Sequence, residues 1–450
     1  MNPGIFREYD IRGIAGKDFD ADDANHIGKA MGTHMVQNGC QTIAVGRDCR
    51  SSSEAYQAAL VQGLLSTGMD VVEIGICPTP VLYFATHHLK TDAGIIVTAS
   101  HNPPEYNGFK TTMAGASLFG EELQTIRKIV TSQNFLQTPT PGKTSSADPL
   151  PAYANYILKD ISLKKPMKVV VDAGNGTGGV VALPLLKALG CQVTPLYCDM
   201  DGSFPNHEAD PTIAENLKDL IQAVTREGAD VGIGYDGDAD RIGVVGPDGR
   251  IFHGDQLMIL FSREILKTNP GATFISEVKC SQTLYEDIAK NGGNPIMWRT
   301  GHSLIKQKMK ETGAVLAGEM SGHMFFADRY FGYDDAIYAT CRLLEILSST
   351  PKSLNELLSD VPQTFNTPEI RVDCPDDQKF TIVKAITEFY KKSHDVIDID
   401  GARVLFKEGW GLVRASNTQP ALVLRFEGKS PEARDAIRKE IEAQVQLFTR

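Results

Sequence analysis

The sequence has no run of about 18 apolar residues, so no membrane-crossing helix is expected. Its eight cysteines include no Cys-x-x-Cys pair, which sets aside a zinc knuckle or a disulfide framework. The opening Met1-Asn2-Pro3-Gly4-Ile5-Phe6-Arg7 lacks the apolar centre of an export signal, so scattered thiols read as those of a reducing, cytoplasmic protein. Positive charge is also short. The formal net charge of −11 argues against nucleic acid or an anionic membrane as the main partner. An anionic small substrate would then need a local basic cluster set against the overall field. What remains is 450 residues, 42% of them hydrophobic, enough for two to four domains with sizeable cores.

Strand and helix patterns alternate along most of the chain. Residues 20–38 read as a helix with Asp20 as N-cap and Gly39 as its stop, and 42–46 as a strand. Ser51-x-x-Glu54 has the spacing of a capping box opening the next helix, which stops at Gly68. Strands follow at 70–74 and at Ala93-Gly94-Ile95-Ile96-Val97, the latter too short and β-branched for a helix. The stretch 137–151 has no periodicity, and a domain boundary is placed near 150. The pattern restarts with a helix at 152–161, a strand at 168–171, a helix at 180–189 and strands at 192–196 and 229–235. A third round has a strand at 273–276, a helix at 282–290 and a strand at 314–317. The tail differs: a helix at 380–391, strands near Val404, 411–414 and 422–426, and a final helix opened by Ser430-Pro431-Glu432. No strict sequence period repeats, but the order of elements does. The expected fold is α/β, with three similar mixed α/β domains (1–150, 151–250 and 251–364) and a smaller C-terminal α+β domain (365–450) around a central cleft.

Each round ends on a loop dense in functional groups. The first strand delivers Ser100 and His101 side by side, ahead of Pro103-Pro104. Ligands bind beyond the carboxyl ends of strands in such sheets, so Ser100 is either a nucleophile or a turn residue. In Asp236-Gly237-Asp238-Ala239-Asp240-Arg241 three carboxylates repel one another unless a cation sits among them. Oxygen ligands select a hard ion, and Mg²⁺ is preferred over Ca²⁺ because no twelve-residue EF-hand loop is present. A solvated acidic turn is the alternative. Arg414, Ser416, Asn417 and Thr418 gather donors that a phosphate accepts, although Ser-Asn-Thr is also a hairpin-turn sequence. Arg12, Lys110, Arg241, Lys279 and His302 are candidates for the basic cluster, each beside Gly or an apolar strand. Gly174-Asn175-Gly176-Thr177-Gly178-Gly179 matches a dinucleotide fingerprint, with Asp199 spaced to hold a ribose, so an NAD-dependent oxidoreductase is one alternative; Asp172, just before the glycines, sits poorly beside a pyrophosphate, and a Gly-rich helix entry that allows tight packing is the preferred reading. A nucleotide-sugar glycosyltransferase with an Asp-x-Asp metal site is another, but it leaves Ser100 without a role. His26, His34, His87, His88, Trp298 and Trp410 read as packing residues.

Taken together, Thr98-Ala99-Ser100-His101-Asn102-Pro103, Asp236–Arg241, Gly318-Glu319-Met320-Ser321-Gly322-His323 and Arg414-Ala415-Ser416-Asn417-Thr418-Gln419-Pro420 resemble the α-D-phosphohexomutases over the whole chain, as does Tyr9-Asp10-Ile11-Arg12-Gly13. Met320 and Arg299-Thr300-Gly301-His302 resemble the phosphomannomutase/phosphoglucomutase branch; the phosphoglucosamine branch, usually Gln at the Met320 position, is the alternative. Ala239 departs from the Gly or Phe more usual there, with its side chain expected between the ligands. The resemblance implies an isomerase in which Ser100 carries a phosphoryl group, and in which Asp236, Asp238 and Asp240, with Ser100, bind Mg²⁺. It implies that Glu319 and Ser321 hold sugar hydroxyls, that the Arg414 loop binds the substrate phosphate, and that Tyr9, Arg12, Lys279, Thr300 and Gly301 also line the substrate. Hexose 1-phosphate and hexose 6-phosphate would interconvert through a hexose 1,6-bisphosphate, also the activator. Arg241 would serve the chemistry, and His101, Lys110 and His302 are the candidate proton handlers. The phosphosugar is the implied partner, and a monomer or homodimer is expected.

Overall fold

The computed structural model describes residues 1–417 and 419–448. The first sheet runs in the order Ile11–Ile14, Tyr106–Met113, Ala93–Val97, Thr42–Arg47, Asp70–Ile76, Thr144–Ser146. The last four strands are parallel, and Ala93–Val97 is buried at every position, as a parallel strand covered on both faces must be. Thr144–Ser146 lies in the stretch that lacks periodicity; all its residues are exposed, so no alternation marks it. The helix Ala21–Gln37 starts at a capping box in which the Asp20 side chain takes the Asp23 N–H and Asp23 returns the contact. The capping box expected at Ser51 and Glu54 does not form. The helix Ser53–Ser66 opens on Ser52 without a side-chain bond, while Ser53 Oγ donates to the buried Asp48 carboxylate at 2.5 Å and Glu54 reaches Arg47 at 3.6 Å. A desolvated carboxylate is the stronger acceptor for that hydroxyl.

The second sheet has the order Ile251–Phe252, Ile242–Val245, Val231–Tyr235, Lys168–Asp172, Gln192–Leu196, and the third Asn294–Trp298, Thr273–Glu277, Leu316–Gly318, Met324–Phe326. One arrangement recurs. A parallel strand (Ala93–Val97, Val231–Tyr235 or Leu316–Gly318) pairs antiparallel with the strand that follows it, and the loop between the two carries Ser100, the three aspartates or Glu319. The fourth sheet is antiparallel throughout, built on Ala402–Phe406, Gly409–Ala415 and Ala421–Gly428, with Arg414 and Ser416 where the last two strands turn. The expected architecture of three α/β units and a smaller α+β unit is the one observed.

One apolar core runs through the first three units, from Val81–Ala85 and Ile96 through Val169, Val171 and Ile233 to Phe326 and Leu343. The fourth unit has its own core and touches the third through a small cluster of Val278, Trp410 and Leu412. Arg403 lies 3.8 Å from the Trp410 ring and donates to the Val278 and Cys280 carbonyls, so much of this contact is polar. Among the described residues no helix is long and apolar enough to cross a membrane.

The helices Ala21–Gln37 and Ser53–Ser66 cross where glycine meets backbone. A Cβ on Gly63 would lie 2.3 Å from the Asn25 carbonyl oxygen, and one on Gly28 2.3 Å from that of Leu60. Gly63→Ala would gain about 1 kcal/mol of helix propensity, but the clash reverses the sign. A net loss of about 1–3 kcal/mol is expected, read as a lower denaturant midpoint; a raised midpoint would show that the crossing relaxes freely.

Candidate active site

Ser100 stands at the end of the buried strand Ala93–Val97 with φ +53, in the left-handed region. That conformation costs a non-glycine residue about 1–2 kcal/mol, and the surroundings hold it. Ser100 N donates to Thr98 Oγ1 at 3.0 Å. Arg50, itself buried, wraps the loop: one terminal nitrogen donates to the Ser100 and Asn102 carbonyls at 2.8 and 2.6 Å, the other to those of Pro103 and Tyr106 at 2.6 and 3.1 Å. Asp48 fixes Arg50 in turn, at 3.1 Å from Nε. Nothing in Asp48-Cys49-Arg50 distinguishes this strut from a surface ion pair in sequence. Its partners are four carbonyls about fifty residues away. Ser100 Oγ donates to Asp236 Oδ2 at 2.6 Å and lies 3.3 Å from His101 Nδ1.

The aspartates follow the buried strand Val231–Tyr235, are wholly buried, and offer ligand oxygens within 4.8 Å of one another. Asp236 Oδ1 takes the backbone N–H groups of Asp240 and Arg241, each at 3.0 Å. Lys110 Nζ donates to Asp238 and Asp240 at 2.7 and 2.5 Å, and Thr79 Oγ1 donates to Asp238 at 2.5 Å. Burial, then Asp240 and Asp238, push the Asp236 pKa well above the carboxylate range. Burial also opposes the Lys110 ammonium, but Asp238 and Asp240 outweigh it and raise its pKa, so Lys110 is charged. Asp238 Oδ1 and Asp240 Oδ1 are buried without a hydrogen-bond partner. Oxygen-only donors, close spacing and two unsatisfied anionic oxygens fit a hard divalent cation.

One reading of this region changes and one alternative falls away. Ala239 does not lie between the ligands: its φ is +55, and its methyl is buried in the common core close to where a Cβ on Gly178 would fall. The Gly174–Gly179 stretch has no room for a pyrophosphate. A Cβ on Gly176 would sit 2.4 Å from the Gly237 oxygen, and Thr177 N and Oγ1 donate to that oxygen at 3.0 and 3.2 Å. The Asp199 carbonyl receives Asn175 Nδ2 at 2.9 Å. The glycines seat the aspartate loop by close packing, the preferred reading, and the dinucleotide alternative falls away.

Glu319 Oε1 accepts the Gly301 N–H at 2.8 Å, and its Oε2 accepts Ser321 Oγ at 3.1 Å. Beneath them the buried Glu277 takes Lys279 N at 2.7 Å, Thr300 Oγ1 at 3.0 Å and Met320 N at 3.3 Å, gathering three loops on one carboxylate. Lys279 Nζ reaches Glu369 of the fourth unit at 3.3 Å. The second and third units join where Arg241 Nε donates to His323 Nε2 at 2.9 Å. Burial first, then Arg241 and Arg12, hold the His101 pKa far below the usual imidazole range; burial and Lys306 do the same for His302. Both rings are neutral at physiological pH.

Arg414 Nε donates to Asp400 Oδ2 at 3.0 Å, and Thr300 N donates to the same oxygen. Asn417 Nδ2 donates to the Tyr9 hydroxyl at 2.6 Å, and that hydroxyl donates to the Thr300 carbonyl at 2.7 Å, so Tyr9 ties the first, third and fourth units together. Arg12 donates to Asn102 Oδ1 at 2.7 Å and pairs with Asp10. Ser416 is buried, its Oγ accepting Gln419 N at 3.1 Å and its carbonyl accepting Lys379 Nζ at 2.5 Å. Thr418 lies outside the described residues. The structure thus brings Ser100, Lys110 and the aspartates, all buried, together with the half-buried Arg12, His101 and Arg241. The Arg241–His323 contact connects these to the loops of Glu319, Ser321, Thr300, Gly301 and Arg414. Arg50, Thr79, Glu277, Lys379 and Asp400 went unnoticed in sequence, where each is a single polar residue without a spacing rule; His323 falls within the Gly318–His323 motif but has no role assigned from sequence.

Four family models match the chain in order: phosphoglucomutase/phosphomannomutase alpha/beta/alpha domain I over residues 3–137, domain II over 151–249, domain III over 253–365, and the C-terminal domain over 369–444. A phosphomannomutase/phosphoglucomutase of Pseudomonas aeruginosa is 48% identical over 435 residues, 96% of this chain and 94% of that protein. A phosphoglucomutase of Neisseria meningitidis is 44% identical over 446 residues, covering 98% and 96%. The crystal structure of a phosphoglucomutase/phosphomannomutase family protein from Burkholderia thailandensis superposes with a TM-score of 0.94 at 42% identity, over 100% of this chain and 98% of that one.

Asp238→Asn removes one anionic ligand and leaves the buried Lys110 with a weaker partner. Magnesium titration followed by calorimetry is expected to show affinity lowered at least tenfold, and an unchanged isotherm would take Asp238 out of the cation site.

Proposed function

The chain belongs to the phosphoglucomutase/phosphomannomutase family, and from that premise we propose how its own residues carry the reaction. It is an isomerase that interconverts hexose 1-phosphates and hexose 6-phosphates, with mannose or glucose as the sugar. The observation that carries the assignment of roles is the Ser100 hydroxyl, held 2.6 Å from a carboxylate inside a buried triple-aspartate loop.

Ser100 is the phosphoryl carrier. With Ser100 unphosphorylated, its hydroxyl donates to Asp236. As a phosphoserine it would carry about −1.5 to −2 charges and its ester oxygen could no longer donate, freeing Asp236 as a ligand. Asp236, Asp238 and Asp240, with an oxygen on Ser100, would hold Mg²⁺, which when bound supplies charge neutralisation at the transferring phosphoryl oxygens. Arg241 and Arg12 add cationic groups from either side.

The phosphoryl group passes from Ser100 Oγ to the free hydroxyl of the hexose phosphate, whose proton leaves to a base, and Ser100 Oγ recovers a proton. The product of this half-reaction is a hexose 1,6-bisphosphate. After the sugar turns over, its other phosphate returns to Ser100 Oγ; added bisphosphate would rephosphorylate an idle enzyme in the same way. His101, neutral and 3.3 Å from Ser100 Oγ, is placed to exchange the serine's proton. His302, neutral, and Lys110, charged, are the other two candidates for proton transfer.

Both substrate orientations need one remote phosphate site. Arg414, Ser416, Asn417 and Thr418 supply it from the fourth unit, where Arg414 can meet phosphate with a charged fork. Lys279 and Tyr9 flank that site. Glu319 and Ser321 meet the sugar hydroxyls, with Thr300 and Gly301 shaping the floor beside them. Positioning and charge stabilisation supply most of the acceleration in this scheme.

A coupled assay with mannose 1-phosphate, glucose 1-phosphate and glucosamine 1-phosphate, in Mg²⁺ and catalytic bisphosphate, tests the sugar; turnover of the glucosamine ester alone would displace the mannose/glucose reading. Ser100→Ala is expected to lose turnover by several orders of magnitude while keeping its thermal midpoint, and robust activity would remove Ser100 from the mechanism. Arg414→Ala is expected to raise KM by roughly ten- to a hundredfold, the loss of a charge-assisted bond of about 1.5–3 kcal/mol. Steady-state kinetics with an unmoved KM would assign phosphate binding elsewhere.

A further inference from the structure

We propose that Asp334 is a positioning residue which, acting through His323, fixes the orientation of Arg241 in the active site. The contacts form a short relay. Arg241 Nε donates to His323 Nε2 at 2.9 Å. A ring nitrogen can receive that N–H only through a free lone pair, so the imidazole proton is on Nδ1. Nδ1 faces Asp334 Oδ2 at 3.1 Å and Asp240 Oδ1 at 3.6 Å. Its proton faces the nearer carboxylate, Asp334, in a contact short of a well-formed hydrogen bond, while Asp240 Oδ1 lies beyond hydrogen-bond distance and stays open to a cation. His323 is 3% exposed, and Asp240 and Asp334 are 0% exposed, so the cluster is closed to bulk solvent.

Asp334 cannot turn away. Its Oδ1 is held by Lys306 Nζ at 3.0 Å, and that ammonium rests over the Tyr83 ring at 4.4 Å. The adjoining Asp335 is clasped by the Tyr153 and Tyr330 hydroxyls, at 2.9 Å each, and by Tyr338 N at 2.8 Å. One peptide unit therefore joins a carboxylate facing the site to one anchored in the common core. Asp240, His323 and Asp334 also have the spacing of a metal site. The Arg241 contact rules this out, because a protonated Nδ1 has no lone pair to give a metal.

The relay matters for what it leaves exposed. With Nε committed to His323, the two terminal nitrogens of Arg241 have no acceptor among the described residues. They form a planar fork beside the aspartate loop, suited to a phosphoryl group. That use rests on the mutase reading above; the relay itself does not.

Asp334→Asn separates these demands. An amide has one oxygen, and the Lys306 ammonium takes it, which turns the amide NH₂ toward His323 Nδ1. The ring proton must then move to Nε2, where it opposes the Arg241 Nε–H. Nitrogen-15 spectra of histidine-labelled enzyme with Mg²⁺, assigned with His323→Gln, are expected to show the Nδ1–H tautomer in the native protein and Nε2–H in Asp334→Asn. The same variant should lose at least tenfold in kcat/KM. Asp334→Asn combined with Lys306→Met frees the amide oxygen for His323, and should restore the Nδ1–H tautomer and at least threefold of the lost kcat/KM. A native Nε2–H tautomer, an unchanged tautomer in Asp334→Asn, kcat/KM within twofold of native, or no recovery in the double variant would each overturn the proposal. The native spectrum decides even if Asp334→Asn does not fold. Native enzyme without mutase activity would sink the mutase reading while leaving the tautomer result intact.

Discussion

Three carboxylates kept dry on one short loop set the terms for the rest of the molecule. Like charges about 4 Å apart repel by roughly 4 kcal/mol per pair even at the effective dielectric of a protein surface. Asp236, Asp238 and Asp240 are wholly buried, so the repulsion must be met by groups brought to them. Lys110 from the first unit answers Asp238 and Asp240, Arg241 and Asp240 offer their backbone N–H groups to Asp236, and Ser100 closes the remaining oxygen. The first and second units cannot separate without exposing these charges to one another. The overall negative charge of the chain thus coexists with a local basic ring of Arg12, Lys110 and Arg241.

Packing divides the protein into three parts and one. The first three units share a continuous core, and the Asp335–tyrosine cluster ties the helix Leu150–Asp160 of the second to the third. The fourth meets them through a small apolar cluster, the Arg403–Trp410 stack and a line of polar contacts: Lys279–Glu369, Thr300–Asp400 and Asn417–Tyr9. Polar contacts exchange with water more readily than a core does. If the fourth unit is the phosphate clamp proposed above, this mounting would suit a ligand that has to be held, released and held again the other way round, with the proposed phosphoryl-transfer residues left undisturbed on the first three units.

The loops that bear chemistry were legible because strand, turn and functional residues are contiguous: Val231–Tyr235 runs straight into the aspartates, and Ala93–Val97 into Ser100. The helix Gln282–Lys290 was readable for a related reason, since its polar and apolar residues alternate with the helical period. The helix Ala336–Ser348 was not. Nearly every one of its residues is buried, so no amphipathic stripe distinguishes it from a core strand. The glycine stretch is ambiguous in sequence for a converse reason: the tight turn that admits a pyrophosphate elsewhere here admits the Gly237 carbonyl, the close packing that was the preferred reading.

By itself the sequence determined the class of fold, the order of its units and the four loops to which the proposed chemistry is assigned, because each depends on residues close together in the chain. Tertiary structure alone decided which side chains those loops would face. Arg50 reaches carbonyls some fifty residues away, Lys110 finds Asp238 and Asp240, and Tyr9 meets Thr300 and Asn417. Charge compensation in a buried site is a short-range requirement in space that places no limit on separation along the chain. Its partners can come from anywhere the packing brings them, and only the packed molecule names them.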